Sequence, residues 1–379
     1  MSAHKALGGR IFTLPFMILG IIAAIGIYYM AQRFILGMGT VANINGGFPW
    51  GIWVVFDVVI GTGLACGGYA LAFTVYLFNK GQYHPLVRPA LLASLLGYAL
   101  GGFGAIFDMG RWWQFYNIVL PGNWNFNSAM LEVGLCVALY ILVLIIEFAP
   151  VYLEKIGAKG LLKSLNKVMF FFIALGVLLP TMHQSSLGSL LIAMGYKVDP
   201  LWQSLQFQPL LAVISALVMG YSIVIFEASL SNVSFGGKSE TPLLSVLAKV
   251  AIGLLVAFVV IRMIILMIQG KFGLIFAGDF SSLMFMLEMA LFIIPLFILA
   301  SPARRQNGGK LLIAAVSMLF SGALYRFNAF LFTFDPGPGY SYFPSASEIM
   351  VTLGIIAIEI MAYLVVVKTL PVLHSSEQA

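Results

Sequence analysis

"FPWGIWVVFDVVIGTGLACGGYALAF", Phe48 to Phe73, has the length and apolarity of a membrane-spanning helix and one discordant residue. Asp57 stands about two turns in, among Val55, Phe56, Val58, Val59 and Ile60. A carboxylate at the centre of a helix in hydrocarbon costs about 2.5–3.5 kcal/mol on insertion scales. An acid in that position needs company or a task.

Composition settles the solvent. Of 379 residues, 61% are hydrophobic and only 9% charged, against about 25% charged in a soluble domain. That balance excludes a pair of soluble domains and describes one polytopic, all-α integral membrane domain over residues 1–379. Basic residues precede the first apolar run, and no small-residue cleavage site follows it, so a retained first helix is expected rather than a signal peptide. Cys66 and Cys136 both lie in apolar runs and read as small buried thiols. An iron–sulfur cluster takes about four thiolates.

Apolar runs of spanning length fall at 13–36, 49–78, 88–109, 127–149, 168–194, 208–230, 244–269, 279–300, 310–332 and 347–370. Each can cross a hydrocarbon core of about 30 Å, so ten helices are expected, numbered here 1 to 10. Pro180 and Gly270 interrupt or flank the runs of helices 5 and 7. The longest inner connection, "LSNVSFGGKSETPLL" (230–244), has the Ser/Gly/Pro character of a loop between helical halves, and the two bundles are expected over about 49–194 and 208–332.

The cations are unevenly placed. Lys5, Arg10, Lys80, Arg88, Lys155, Lys159, Lys163, Lys167, Lys238, Lys249, Arg304, Arg305, Lys310 and Lys368 share one side. Arg33, Arg111, Lys197 and Lys271 share the other, and Arg262 and Arg326 lie within helices. The positive-inside rule then puts both termini in the cytoplasm. The opposite loops, "RWWQFYNIVLPGNWNFN" (111–127) and "FTFDPGPGYSYFPS" (332–345), are aromatic and poor in charge. They suit an interfacial belt and, at this length, a docking face for another protein.

With that orientation, helices 2 to 5 bring Asp57, Asp108, Arg111, Glu132 and His183 to a similar outer depth. Asp108 and Arg111 are three apart and close enough to pair on one helix face. Structural ion pairing is one reading of this group. Proton exchange with a bound small molecule is the other, because three carboxylates face one fixed cation and a neutral imidazole accepts or donates a proton. Glu147 and Glu227, near the inner ends of helices 4 and 6, either snorkel to the interface or extend a proton path. Glu288 and Glu359 lie mid-span in helices 8 and 10, with Arg262 and Arg326 as available partners. Gly63-xxx-Gly67 and Gly97-xxx-Gly101 read as close helix packing.

Membrane haem is held by two histidines at depth in b-type cytochromes. Of His4, His84, His183 and His374, only His183 falls inside a span, so no haem and no bound metal are expected. Redox chemistry in such a chain requires a diffusible organic species and an electron-donating partner. Nothing in the sequence points to nucleic acid.

The runs "NGGFPWGIWVVFDVVIGTGLACGG", "GQYHPLVRPALLASLLGYALGG", "DMGRWW", "LNKVMFF", "LPTMHQSSLGSL" and "FAGDF" resemble the NrfD/polysulfide-reductase family of haem-free, quinone-reactive membrane subunits. The likeness is closest to the membrane subunits of periplasmic nickel–iron hydrogenases and extends from about Gly8 to Pro371. It implies two four-helix bundles, helices 2–5 and 6–9, flanked by helices 1 and 10. It also implies a menaquinone or ubiquinone site near the periplasmic surface, below a ferredoxin-like iron–sulfur subunit fed by the small and large hydrogenase subunits. The family's quinone and proton region maps onto Asp57, Asp108, Arg111, Glu132 and His183, with Glu132 most firmly tied to proton movement. Some relatives carry an acid where this chain has Ile265, which weakens a proton route through helix 7. Two rival readings are a secondary transporter built around interrupted helices and a bare membrane anchor.

Overall fold

The computed structural model describes residues 4–235 and 240–374, so Lys238 and the middle of the 230–244 connection lie outside the described residues. Among the described residues, ten helices are long and apolar enough to cross a membrane. Helix 1 is Leu14–Leu36, helix 2 Trp53–Leu77, helix 3 His84–Asp108, helix 4 Ala129–Lys155 and helix 5 Lys159–Met194. Helix 6 is Gln208–Phe235, helix 7 Thr241–Ile268, helix 8 Phe280–Ile298, helix 9 Gly308–Phe332 and helix 10 Ala346–Thr369. The all-α membrane fold is as expected.

Several starts are fixed by short polar side chains, which satisfy helix N–H groups that lack an internal acceptor. Ser128 accepts from Leu131, Asp279 from Ser282 and Asn307 from Lys310. Helix 10 opens on a full capping box between Ser345 and Glu348.

The helices outrun their apolar cores. Helix 4 ends at Lys155 and helix 5 begins at Lys159, so Lys163 and Lys167 are helical and the expected lysine-rich loop is a turn of three residues. Lys249 likewise lies inside helix 7. Long basic side chains reach the interface from a helix and do not require a loop.

Helix 5 also runs unbroken through Pro180, although that proline cannot donate to the Gly176 carbonyl. The broken helix is helix 2. It is wound as a π-helix over Trp53–Ile60, becomes α at Gly61–Leu64, turns at Ala65 and Cys66, and resumes at Gly67. π-type turns need a local cause, and the Thr62 hydroxyl, donating to the Val58 carbonyl at 2.6 Å, sits at the change of winding.

The described residues fall into two compact units. The first takes the chain up to Thr62, Val87–Leu179, and the chain from Pro336. The second takes Gly63–Leu86 and Pro180–Asp335. Three of the four boundaries therefore cut inside helices, at the change of winding in helix 2, in the first turn of helix 3 and at the proline of helix 5, whereas the halves read from the loops keep each helix whole.

In the first unit, helices 1 and 10 cross where Gly26 meets Gly354: a Cβ on either would lie 2.7 Å from the other's Cα. His4 and Lys5 pair antiparallel with His374 and Leu373, so the two ends of the chain meet at one end of this unit. Trp53, Phe107, Val351, Ile355 and Met30 form its core beside helix 10. In the second unit, helix 6 carries the fully buried Ala216, Val218, Met219 and Ile225. A Cβ at Gly220 of helix 6 would strike the Cys66 carbonyl at the break of helix 2.

Candidate functional site

The start of helix 2 is held by side chains from two other elements. The Gly51 N–H donates to Asp108 Oδ2 at 2.7 Å, and the Ile52 N–H donates to the Tyr342 hydroxyl at 3.0 Å. An acid at a helix N-terminus is also favoured by the helix dipole. The Tyr342 hydroxyl donates in turn to Glu348 Oε1 at 2.6 Å. Glu348 Oε2 accepts the N–H groups of Asn43 at 2.9 Å and Ser345 at 2.7 Å. Trp53 Nε1 donates to the Glu348 carbonyl at 3.1 Å, which ties helix 2 to helix 10. Burial holds the Tyr342 phenol above its ordinary range, and its bond to Glu348 adds to the effect, so it serves as a neutral donor.

Arg33 closes the other side of this end. It is the last-turn arginine of helix 1, fully buried, and not the loop cation expected from the sequence. Its Nε donates to the Phe107 carbonyl at 2.7 Å and its Nη2 to the Met109 carbonyl, capping helix 3, and its charge acts on Asp108.

Asp57 lies one turn further along helix 2 and is buried at 4% exposure. Its Oδ2 is buried with no hydrogen-bond partner. It rests on a bed of glycine in helix 3. A Cβ at Gly104 would lie 2.7 Å from the Asp57 Cβ and 3.0 Å from Oδ2, and one at Gly101 would lie 2.6 Å from the Asp57 carbonyl oxygen. The charges acting on Asp57 are those of Asp108 on helix 3 and Glu359 on helix 10.

Asp57 and Asp108 are thus brought together, while two other expected members of the group, Arg111 and Glu132, are exposed. Helix 3 ends at Asp108, so Arg111 leaves its face, is exposed, and does not form the expected pair. Glu132 is in the first turn of helix 4, where the dipole favours it, and is exposed. Glu147, partly buried, faces Gly176 of helix 5, where a Cβ would fall 2.6 Å from its Oε1.

His183 and Glu227 belong to the second unit. Glu227 is partly buried on helix 6, and His183 is fully buried on helix 5, where the Arg326 charge acts on it. The next residue, Gln184, accepts from Arg326 Nη2 at 2.9 Å, while Nη1 donates to Ser215 at 3.1 Å and to the Met219 sulfur at 3.0 Å. The expected helix 7–helix 8 ion pair is present: Arg262 Nη1 donates to Glu288 Oε1, and both residues are buried. Glu288 Oε2 also accepts from Trp202 Nε1 and Asn328 Nδ2, each at 2.8 Å. Trp202, Phe258, Phe285 and Tyr325 surround the Arg262 guanidinium. An open cavity of about 350 Å³ adjoins this network, lined by Leu191, Ile192, Tyr196, Trp202, Gln203 and Gln208 among others. Among the described residues, no group of three or more His, Cys, Asp or Glu could hold a metal ion.

Sequence reading overlooked Glu348 and Tyr342 and misplaced Arg33. For Glu348 a signal existed: Ser345-x-x-Glu348 before an apolar run is the capping-box pattern. Tyr342 carries no such mark inside an aromatic loop.

Ten spanning helices with buried carboxyls at the start of helix 2 define a multi-pass, all-α membrane protein with an intramembrane acid site. The chain belongs to the family described as polysulphide reductase, NrfD, which is matched over residues 40–332. The "Probable Ni/Fe-hydrogenase 2 b-type cytochrome subunit" of Escherichia coli (strain K12) is 48% identical over 376 residues, 99% of this chain and 96% of that protein. A protein of Nitratidesulfovibrio vulgaris (strain Hildenborough) is 32% identical over 369 residues, 94% of each chain. From the same organism, "Menaquinone reductase, integral membrane subunit" is 26% identical over 175 residues, 44% of this chain and 40% of that one. The family resemblance read from the sequence is borne out, and helix 10 lies beyond the matched residues.

Proposed function

We propose that this chain is the quinone-reactive membrane subunit of a periplasm-facing nickel–iron hydrogenase complex in the bacterial inner membrane. A ferredoxin-like iron–sulfur subunit, reduced by the small and large hydrogenase subunits, delivers electrons. Menaquinone or ubiquinone accepts them with two protons at the end where helix 2 starts. The observation that carries this reading is Asp57: a buried carboxyl with an unpartnered oxygen, beside Asp108. Intramembrane ionisable groups mark substrate and proton paths. The family and its relatives, one of them a menaquinone reductase subunit, supply the class of substrate.

Burial and position support the following division of roles. Glu132, exposed at the first turn of helix 4, is open to a ligand arriving from the bilayer and exchanges protons with it. Asp57 and Asp108 form the buried wall, and Arg111 on the exposed surface attracts the partner or the quinone oxygens. Glu147 offers a path from the cytoplasm within the same unit, while His183 and Glu227 are proton-exchanging groups of the second unit. The grouping of helices 2–5 and 6–9 as four-helix bundles is part of the same reading. So is the orientation: the basic helix ends face the cytoplasm with both termini, which the pairing of residues 4–5 with 373–374 keeps on one side.

A relative carries the name b-type cytochrome, yet the residues here do not fit haem. His84 is exposed at the first turn of helix 3, His4 and His374 sit in the paired tails, and His183 alone is buried in a helix. We read the chain as haem-free, and no step is assigned to haem. The transporter reading is not favoured, because helix 5 is continuous at Pro180 and the break in helix 2, at Ala65–Cys66, lies about two turns past the acid group at its start.

Glu132→Gln in the assembled complex tests the proposal. Dihydrogen-to-quinone transfer should fall by about 10²-fold or more, the scale of a lost proton-transfer group, while reduction of a soluble dye persists. Quinone reduction at the unsubstituted rate would remove Glu132 from the site, and equal loss of both activities would make it an assembly residue.

A further inference from the structure

The lead into helix 2 is laced to the lead into helix 10. Asn45 Nδ2 donates to the Ser341 carbonyl at 2.7 Å and Asn43 Nδ2 to the Phe343 carbonyl at 3.2 Å. The Ser347 hydroxyl donates to the Val41 carbonyl at 2.7 Å, and the Asn43 N–H to Glu348 Oε2 at 2.9 Å. All of these residues belong to the first unit, and residues 341–348 lie outside the matched family region. Tyr342 stands within this lacing and reaches the helix itself, accepting from the Ile52 N–H at 3.0 Å.

A helix start leaves N–H groups without internal acceptors, and helix 2 brings no capping side chain of its own. Two consecutive donors, Gly51 and Ile52, are taken instead by Asp108 and Tyr342. A tyrosine hydroxyl carries a single proton. Here that proton goes to Glu348 Oε1 at 2.6 Å, which leaves the Tyr342 oxygen as the acceptor for Ile52. The two caps meet at Gly51, where a Cβ would lie 2.9 Å from Asp108 Oδ1 and 3.3 Å from the Tyr342 hydroxyl. From Trp53 the winding is π, with hydrogen bonds at five-residue intervals, so Asp57 stands one turn above Ile52. Gly101 and Gly104 approach Asp57 too closely to admit a methyl group, which leaves helix 2 little freedom to shift.

We infer that Tyr342 is a positioning residue for the acid pair: its hydroxyl, aimed by Glu348, fixes the first turn of helix 2 so that Asp57 and Asp108 face the ligand together. The inference rests on the quinone reading and adds to it a part of the site contributed from beyond the matched family region. Tyr342 neither gives the quinone a proton nor takes one from it. It acts through the peptide groups of Gly51 and Ile52, and so through Asp108 and Asp57.

The test uses the intact complex in liposomes with a short-chain menaquinone analogue, comparing Tyr342→Phe, Gly51→Ala and Phe48→Leu with the unsubstituted chain. Quinone turnover is measured relative to soluble-dye reduction, in H2O and in D2O. Tyr342→Phe removes the hydroxyl and keeps the ring. Gly51→Ala keeps the hydroxyl and crowds Asp108 and Tyr342. Phe48→Leu disturbs the ring packing, in which the Phe48 and Tyr342 centroids are 5.3 Å apart. Tyr342→Phe should slow turnover about tenfold, the scale of one lost hydrogen bond, and raise the solvent isotope effect, because proton transfer to the quinone becomes the slower step. Gly51→Ala should move both in the same direction, and Phe48→Leu should leave the isotope effect at its original value. An unchanged rate and isotope effect in Tyr342→Phe overturns the inference, as does an equal rise in Phe48→Leu, which marks ring packing. If Tyr342→Phe does not assemble, Gly51→Ala decides, and an unchanged isotope effect there overturns positioning through the helix start. Failure of the unsubstituted complex to reduce the quinone, with dye reduction present, overturns the functional reading itself and the inference with it.

Discussion

At the scale of single residues, Asp57 is shaped as much by what is missing opposite it as by its own chemistry. Gly101 and Gly104 leave room for its backbone and carboxyl, and a methyl group at Gly104 would overlap both Cβ and Oδ2. Overpacking of this kind costs about 1–3 kcal/mol. Gly104→Ala should therefore lower the unfolding temperature in detergent and slow quinone reduction, whereas Gly110→Ala, at a position with open space, should do neither. The acid itself was plain in the sequence, because a carboxylate in an apolar run has no neutral explanation. Its bed was not, since glycine spacing announces close packing without saying what is packed. Glu359 was noticed, with Arg262 and Arg326 as available partners, and of these Arg262 pairs with Glu288.

Elements were legible where hydropathy governs and illegible where polar termini do. Ten apolar runs gave ten helices, because hydrocarbon forces every backbone group to be satisfied within the segment. The extra turns carrying Lys155, Lys159 and Lys163 were missed because hydropathy falls before the backbone hydrogen bonding does. The π-wound start of helix 2 and its break at Ala65–Cys66 leave no hydropathy trace either. In the second unit, helices 7 and 8 are joined by the buried Arg262–Glu288 pair. Removing one partner of a buried pair costs about 3–5 kcal/mol, because the other charge is stranded. Arg262→Met should destabilise the chain by that amount in thermal unfolding, and adding Glu288→Gln should recover part of it. A double variant no better than the single would mean that packing of Trp202 and Phe285 around the guanidinium, not charge, holds the helices.

For the whole molecule, the distribution of function between the two compact units was the part least visible in the sequence. Depth alone grouped Asp57, Asp108, Arg111, Glu132 and His183, since each has a countable position along its helix. Which side chains turn inward was not countable: Arg111 and Glu132 are exposed, Asp57 is buried, and His183 belongs to the second unit. Each unit also offers a place for an amphipathic ligand, the acid site at the start of helix 2 and the cavity between Leu191 and Gln208. The quinone ring is assigned to the first. The most direct test is light-driven labelling of the assembled complex with an azido-menaquinone, followed by peptide mapping. Label is expected on residues 50–60 and 101–113, suppressed by excess menaquinone. Label confined to residues 191–208, or no suppressible label on this chain at all, would contradict it.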